Sequence, residues 1–214
     1  MKIAIVYDNT LFKQAGLRAD WGFSALVEVS PGRRILFDTG ANGEILLNNM
    51  AVLGIDPNAI YEIFISHAHF DHVGGLGAFL EKNSHVKLWI PPSFRVANNP
   101  KDTVVITGPY EMGEGIYSTG ELEGIEQSMV VNTSRGLVII AGCSHPRMEN
   151  ILETASQFGE IYGIVGGLHG TQPKSLKGLG LICATHCTQR ISDIKKQFPE
   201  AYRKGGVGRV IEIQ

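Results

Sequence analysis

The sequence predicts an α/β protein in which mixed β-sheets are covered by helices. Short β-branched runs recur along the chain with helix-patterned stretches between them. The early runs are joined by hairpin-like breaks such as "SPGRR", whereas the later ones alternate with helices, a pattern that calls for mixed sheets with helices on their faces. Several apolar runs also end alike, in a polar residue beside Gly, Ser or Thr.

Taken in order, the opening "MKIAIVYDN" has one lysine before a β-branched run and reads as a strand over Lys2–Tyr7. Further runs of this kind predict strands at Phe23–Val29, Arg33–Phe37, Glu62–Ile65, Val86–Ile90 and Val104–Thr107, then at Ser128–Val131, Leu137–Ala141, Ile161–Val165, Leu181–Ala184 and Val207–Ile213. Apolar residues at three- and four-residue spacing predict helices over Gly43–Leu53, Gly74–Lys82, Met148–Phe158 and Ser192–Phe198. No low-complexity segment or linker divides the 214 residues, so residues 1–214 are expected to form one domain.

A hydrophobic fraction of 43%, a charged fraction of 19% and a formal net charge of −2 describe a soluble globular chain without the basic footprint of a nucleic-acid binder. The N-terminus lacks the apolar stretch and small-residue cleavage site of a signal peptide. No apolar run approaches the roughly 20 residues of a membrane span, so neither membrane nor nucleic acid is an expected partner and a cytoplasmic location is the expectation. Cys143, Cys183 and Cys187 cannot pair completely, and reduced thiols are expected.

The strand ends carry the chemistry. "ILFDTG", "IFISHAH", "VIIAGCSH", "GIVGGLHG" and "LICATHC" would deliver Asp38, His67 with His69, His145, His169 and His186 to one sheet edge, where ligand sites of open α/β sheets lie. In the segment "FISHAHFDHVGGL", His67 and His69 are two apart and point to the same side of an extended chain, so they can share one metal ion. Asp71 and His72 follow at a helix start and can face a second ion roughly 3.5–4 Å away. Zinc, iron and manganese all accept neutral imidazole and carboxylate. The plain alternative, a histidine-rich surface loop, fits poorly with the apolar strand before the cluster and the glycine-rich helix start after it.

Through "ILFDTG", "SHAHFDH" and the later histidines, the sequence resembles the metallo-β-lactamase superfamily, and the resemblance runs in order over nearly the whole chain. It implies an αββα sandwich of two mixed β-sheets flanked by helices, with a dinuclear metal centre at one edge. "GCSHP", "GGLH" and "HCT" give a closer likeness to a subgroup of metal-dependent hydrolases that includes dihydropterin synthases of methanopterin biosynthesis. The resemblance implies two divalent ions, zinc or alternatively iron or manganese. His67 and His69 match ligands of the first, and Asp71 and His72 match the pair at the second. His145 is expected to complete the first set and His186 the second. Asp38 matches an acid that orients a ligand imidazole, although a turn residue before Thr39–Gly40 is an equal reading of the residues alone. Asp71, His169 and Asp38 form the expected catalytic group, with His169 a proton donor or a reserve ligand.

Many family members carry a bridging aspartate after a strand; Cys143 occupies the comparable position here. With Asp71 the one carboxylate ligand, the centre is electron-poor and favours a small anionic substrate. A thiolate from Cys143 would reduce that preference. The implied activity is hydrolysis of an ester or phosphoester; the alternatives are a synthase acting on a phosphorylated ribose or pterin-type compound, and a non-catalytic metal-binding or redox-sensing module. His85 is expected to be exposed. Glu111, Glu114, Glu121, Glu123 and Glu126 are expected to form a solvated acidic loop, with Glu121 and Glu126 the possible extra ligands. "KGGVGRV" lacks phosphate-loop spacing and reads as a turn into the last strand, and Pro91–Gly120 shows no motif.

Overall fold

The computed structural model describes residues 1–13, 16–29, 32–95 and 100–213. Ser30 and Pro31 of the "SPGRR" break, residues 96–99 of the motif-free Pro91–Gly120 stretch, and Gln214 lie outside the described residues. One sheet is built from β1 (Lys2–Tyr7), β2 (Ser24–Glu28), β3 (Arg34–Phe37), β4 (Glu62–Phe64), β5 (Lys87–Ile90) and β6 (Thr103–Val105), with β13 (Val210–Glu212) beside β1 at one edge. β13, β1, β2 and β3 pair antiparallel, and β3 to β6 run parallel. The other sheet comprises β7 (Tyr110–Gly113), β8 (Ile116–Ser118), β9 (Met129–Thr133), β10 (Gly136–Ala141), β11 (Ile161–Gly167) and β12 (Leu181–Thr185) in that spatial order. Its first four strands are antiparallel and its last three parallel.

Strands with both faces buried read as continuous apolar runs, and "RILF" of β3 shows why. Ile35 and Phe37 turn inward with Ile3, Phe64, Val138, Ile140 and Val165 to form the core between the sheets. Leu36 turns outward with Leu46, Met50 and Phe79 under α1 (Gly43–Val52) and α3 (Leu76–Lys82), which lie against this sheet. The second sheet buries Ile139, Ile164 and Ile182 against Ile151 of α4 (Met148–Ser156) and Ile194 of α5 (Ile191–Gln197). The layers are therefore α, β, β, α. Phe37 and Phe64 stack between β3 and β4 with centroids 5.3 Å apart, and replacing either by Ala is expected to cost about 3–5 kcal/mol. That stack sets the strand ends from which Asp38 and His67 project.

Differences from the sequence reading have local causes. The predicted helix over Gly74–Lys82 is preceded by a separate short turn of helix, α2 (Phe70–Val73), and begins at Leu76. A Cβ at Gly74 would meet the Ala41 carbonyl oxygen at 2.2 Å, and one at Gly75 the Thr39 carbonyl oxygen at 2.2 Å, so glycines let this junction lie against the loop after β3. The hairpin of β7 and β8 falls where no motif was legible; Gly113 and Gly115, at φ 100° and 75°, make its turn. The strand expected over Val207–Ile213 shortens to β13 because Gly206 and Gly208 hold φ of 120° and 85°. Among the described residues no helix is long and apolar enough to cross a membrane.

Candidate metal centre

The site forms where β1, β3, β4, β10, β11 and β12 end. After β4 the chain passes through Ser66, His67 and Ala68 to His69, the residue that precedes α2. α2 then presents Asp71 and His72 within one turn. The second sheet contributes Cys143 and His145 after β10, His169 after β11, and His186 with Cys187 after β12. Asp38, Ser144, His169 and His186 hold positive φ of 52°, 57°, 40° and 47°, a conformation uncommon outside glycine, so backbone strain concentrates at this edge.

Two triads of possible ligand atoms result. Those of His67, His69 and His145 lie within 4.8 Å of one another, as do those of Asp71, His72 and His186. His145 Nε2 is 3.1 Å from His69 Nδ1. His186 Nε2 is 3.2 Å and His72 Nε2 3.9 Å from Asp71 Oδ2. The triads adjoin, since the His67 and His72 rings are 4.1 Å apart. Cys143 Sγ is 3.3 Å from His72 Nε2 and belongs to a third grouping with His67 and His72, and to a fourth with His186 and Cys187.

A hydrogen-bond network fixes the rings. His72 Nδ1 lies 2.7 Å from Asp38 Oδ2, and Ser66 Oγ donates to the same oxygen at 2.7 Å. Ser66 Oγ is also 2.9 Å from His67 Nδ1. With its one proton directed at Asp38, the hydroxyl accepts from His67 Nδ1–H, and the Asp38 carboxylate therefore holds one imidazole of each triad. The other Asp38 oxygen accepts the Ser66 backbone N–H at 2.7 Å. On the far side, Asn9 Oδ1 lies 2.9 Å from His186 Nδ1 while Asn9 Nδ2 donates to the His186 carbonyl, and Asp8 accepts the His186 N–H. In each case Nδ1 is occupied and Nε2 is left as the donor toward the centre.

Burial sets the protonation. It pushes the Asp38 carboxyl up to about 7. Burial and the neighbouring imidazoles hold His67 down to about 2 and His72 down to about 3. Both rings are therefore neutral, the form that ligates metals. Burial alone would raise Asp71, but hydrogen bonding to His186 and the adjacent imidazoles hold it below the usual carboxylate range. The hydrogen bond with Cys187, then burial, pushes the Cys143 thiol up.

His67 Nε2 is buried without a hydrogen-bond partner, and the buried His186 Nε2 faces the Asp71 carboxylate at 3.2 Å. An unmet buried polar atom costs about 1–3 kcal/mol. The unmet His67 nitrogen in one triad, and in the other a His186 nitrogen turned onto the Asp71 carboxylate, are donor sets that fit a site that takes divalent cations.

The supporting roles of Asn9, Ser66 and Glu126 escaped the sequence reading, which had singled out Glu126 only as a possible extra ligand. Asn9 follows β1 in "IVYDN", the same strand-end layout as the other site segments. Ser66 was hidden among the histidines it orients. Glu126 corrects the expectation of a solvated acidic loop. It is buried and neither of its oxygens is left free: Oε1 accepts the N–H groups of Gly142, Cys143 and Ser144 at 2.9–3.1 Å, and Oε2 accepts that of His145 at 2.9 Å. Glu121 accepts the Ser93 N–H, away from the ligand groupings, while Glu111, Glu114 and Glu123 are exposed. His85 is exposed. His169 is exposed and belongs to neither triad, its ring 5.1 Å from that of His145. The exposed Trp21 donates its indole N–H to Asp71 Oδ2 at 2.8 Å and meets the His186 ring edge-on at 5.1 Å.

A histidine-rich centre able to hold metal ions, set at the strand-end edge of an αββα sandwich, defines a metal-dependent protein class. Residues 20–145 match the Metallo-beta-lactamase superfamily, and the chain belongs to that superfamily. A crystal structure described as a metal-dependent hydrolase of the beta-lactamase superfamily superposes with a TM-score of 0.76 at 25% identity, covering 100% of this chain and 99% of that one. The short form of human tRNase Z superposes at 0.68 with 15% identity and full coverage of both chains, a likeness of fold. By sequence, the chain is 27% identical over 278 aligned positions to the 7,8-dihydropterin-6-methyl-4-(beta-D-ribofuranosyl)-aminobenzene-5'-phosphate synthase of Methanocaldococcus jannaschii, covering 97% of this chain and 92% of the relative.

Proposed function

We propose that the protein is a metal-dependent hydrolase with a dinuclear centre, acting on an ester or phosphoester bond of a small anionic substrate. The observation that carries this reading is the pair of adjoining triads of neutral imidazoles and one carboxylate, with His67 Nε2 buried and unpartnered in the first. His67, His69 and His145 would hold one ion and Asp71, His72 and His186 the other, zinc being the best match to the donor set and iron or manganese compatible with it. Bound ions supply Lewis acidity and a water that ionises near neutral pH. The chain's own residues do the rest. Asp38 and Ser66 keep His67 and His72 in the tautomer that offers Nε2. Trp21 restrains the Asp71 carboxylate. His169, exposed beside His145, is placed to give a proton to a leaving group entering from solvent. With Asp71 as the one carboxylate in the two triads, the occupied centre retains positive charge and favours an anion.

The second reading, a synthase acting on a phosphorylated ribose or pterin-type compound, is favoured by the likeness to the M. jannaschii synthase along nearly the whole chain. Metal-loaded protein incubated with phosphomonoesters, phosphodiesters, lactones and thioesters decides between them. Hydrolysis of one class, abolished by chelator and restored by metal, is expected. Failure to turn over any of them while metal stays bound would overturn the hydrolase reading.

A further inference from the structure

At the opposite end of the second sheet, the starts of β11 and β12 and the turn between β9 and β10 border an open cavity of about 580 Å³. Arg135, Arg203 and Arg209 line it together with Tyr162, and among the described residues Glu212 is the one acid on its wall. Elsewhere Arg18, Arg33, Arg34, Arg147 and Arg190 each pair with a carboxylate. Arg135, Arg203 and Arg209 form no ion pair among the described residues. In a chain of net charge −2, three guanidinium groups against one carboxylate around one cavity are a local excess of positive charge among the described residues.

The groups are also held in place. Arg135 lies over the Tyr162 ring at 4.6 Å and Arg209 over the Phe12 ring at 4.7 Å. Stacking occupies the faces of a guanidinium and leaves its N–H edges for hydrogen bonding. Arg203 Nη1 is anchored by the carbonyls of Glu200 and Tyr202.

We infer that this cavity is an anion-binding site distinct from the metal centre, and that its ligand is a pyrophosphate-type group, free or carried by a nucleotide. Planar guanidinium forks match phosphate oxygens, and three of them exceed what a singly charged anion needs. The volume lies within the range of small-molecule sites.

Amide resonances of zinc-loaded, nitrogen-15-labelled protein titrated with inorganic pyrophosphate test the assignment. Saturable shifts are expected at Arg135, Tyr162 and Arg209, separate from any at Gly142–His145. The R135Q/R203Q double variant should weaken the binding read from the cavity resonances by about tenfold to a hundredfold and leave zinc content unchanged. R135Q alone, at an exposed hairpin position, should weaken it in the same direction if the double variant melts early. Shifts confined to the metal centre, or cavity shifts that R135Q leaves unaltered, would overturn the site. Adenosine 5′-diphosphate titrated in parallel separates the sources: tighter binding than pyrophosphate assigns a nucleotide, and equal or weaker binding assigns the free anion.

Discussion

Asp38 Oδ2 sits 2.7 Å from His72 Nδ1, with both side chains fully buried, and through Ser66 the same carboxylate also reaches His67. One acid thus governs an imidazole in each triad. Asp38→Ala is expected to weaken zinc binding at both positions by about 10–100-fold, whereas Ser66→Ala should weaken mainly the set containing His67. Zinc titration against a competing chelator resolves the two, and an Asp38→Ala isotherm equal to that of the parent would remove the carboxylate from this role.

Asn9 holds His186 alone among the site histidines, and its Oδ1 also accepts the Gly22 N–H at 3.1 Å. Asn9→Ala is expected to lower affinity for the second ion by about tenfold or more and leave the first set intact. Competitive zinc titration with cobalt spectroscopy checks this; equal weakening of both positions would point to a general loosening of the edge.

Glu126 accepts four consecutive backbone N–H groups of the loop that carries His145. Glu126→Gln turns an amide donor toward some of those donors, and a loss of about 1–3 kcal/mol in folding stability is expected. The first ion should then bind less tightly than the second. Denaturant unfolding and metal content are the measurements, and parent-like values in both would show the loop to be self-supporting.

About two divalent ions per chain are expected after purification without chelator, because the donors divide into two sets of three. Elemental analysis measures this directly. Metal-free protein should melt at a lower temperature and recover on adding zinc, iron or manganese. A chain that gains no thermal stability from any of them would contradict the assignment of both triads.

His169→Ala should keep the metals and lower turnover of substrates with poor leaving groups by roughly 10²–10⁴-fold, with little effect on good ones. Loss of metal would instead identify His169 as a ligand that is drawn in on loading.

The sequence disclosed most of what lies on strands and at their ends, and less of what supports them. Histidines two apart after a strand, and an acid and a histidine in the helical turn that follows, are readable because strand and helix periods dictate where those side chains point. Glu126 was singled out with Glu121 as a possible ligand, but its role was not readable, since one glutamate among five gives no sign that a distant loop will fold its amides onto it. Its function is set by tertiary structure. Asn9 shared the strand-end layout of the other segments, but an asparagine after an opening strand is also an ordinary turn residue. The β7–β8 hairpin was missed because its strands are short and their turn depends on glycine φ values rather than apolar alternation.

Each triad draws its candidate ligands from both sheets: His67, His69, Asp71 and His72 follow β4, whereas His145 follows β10 and His186 follows β12. This division imposes a schedule on a chain synthesised from its N-terminus. The early half can present a cluster of imidazoles to passing metal but cannot enclose an ion. The first set closes only when β10 has emerged and paired with its neighbours, and the second waits for β12. On the proposed assignment of the two triads, secure metal capture is thereby tied to completion of the second sheet, and a chain interrupted before that point would let the metal go.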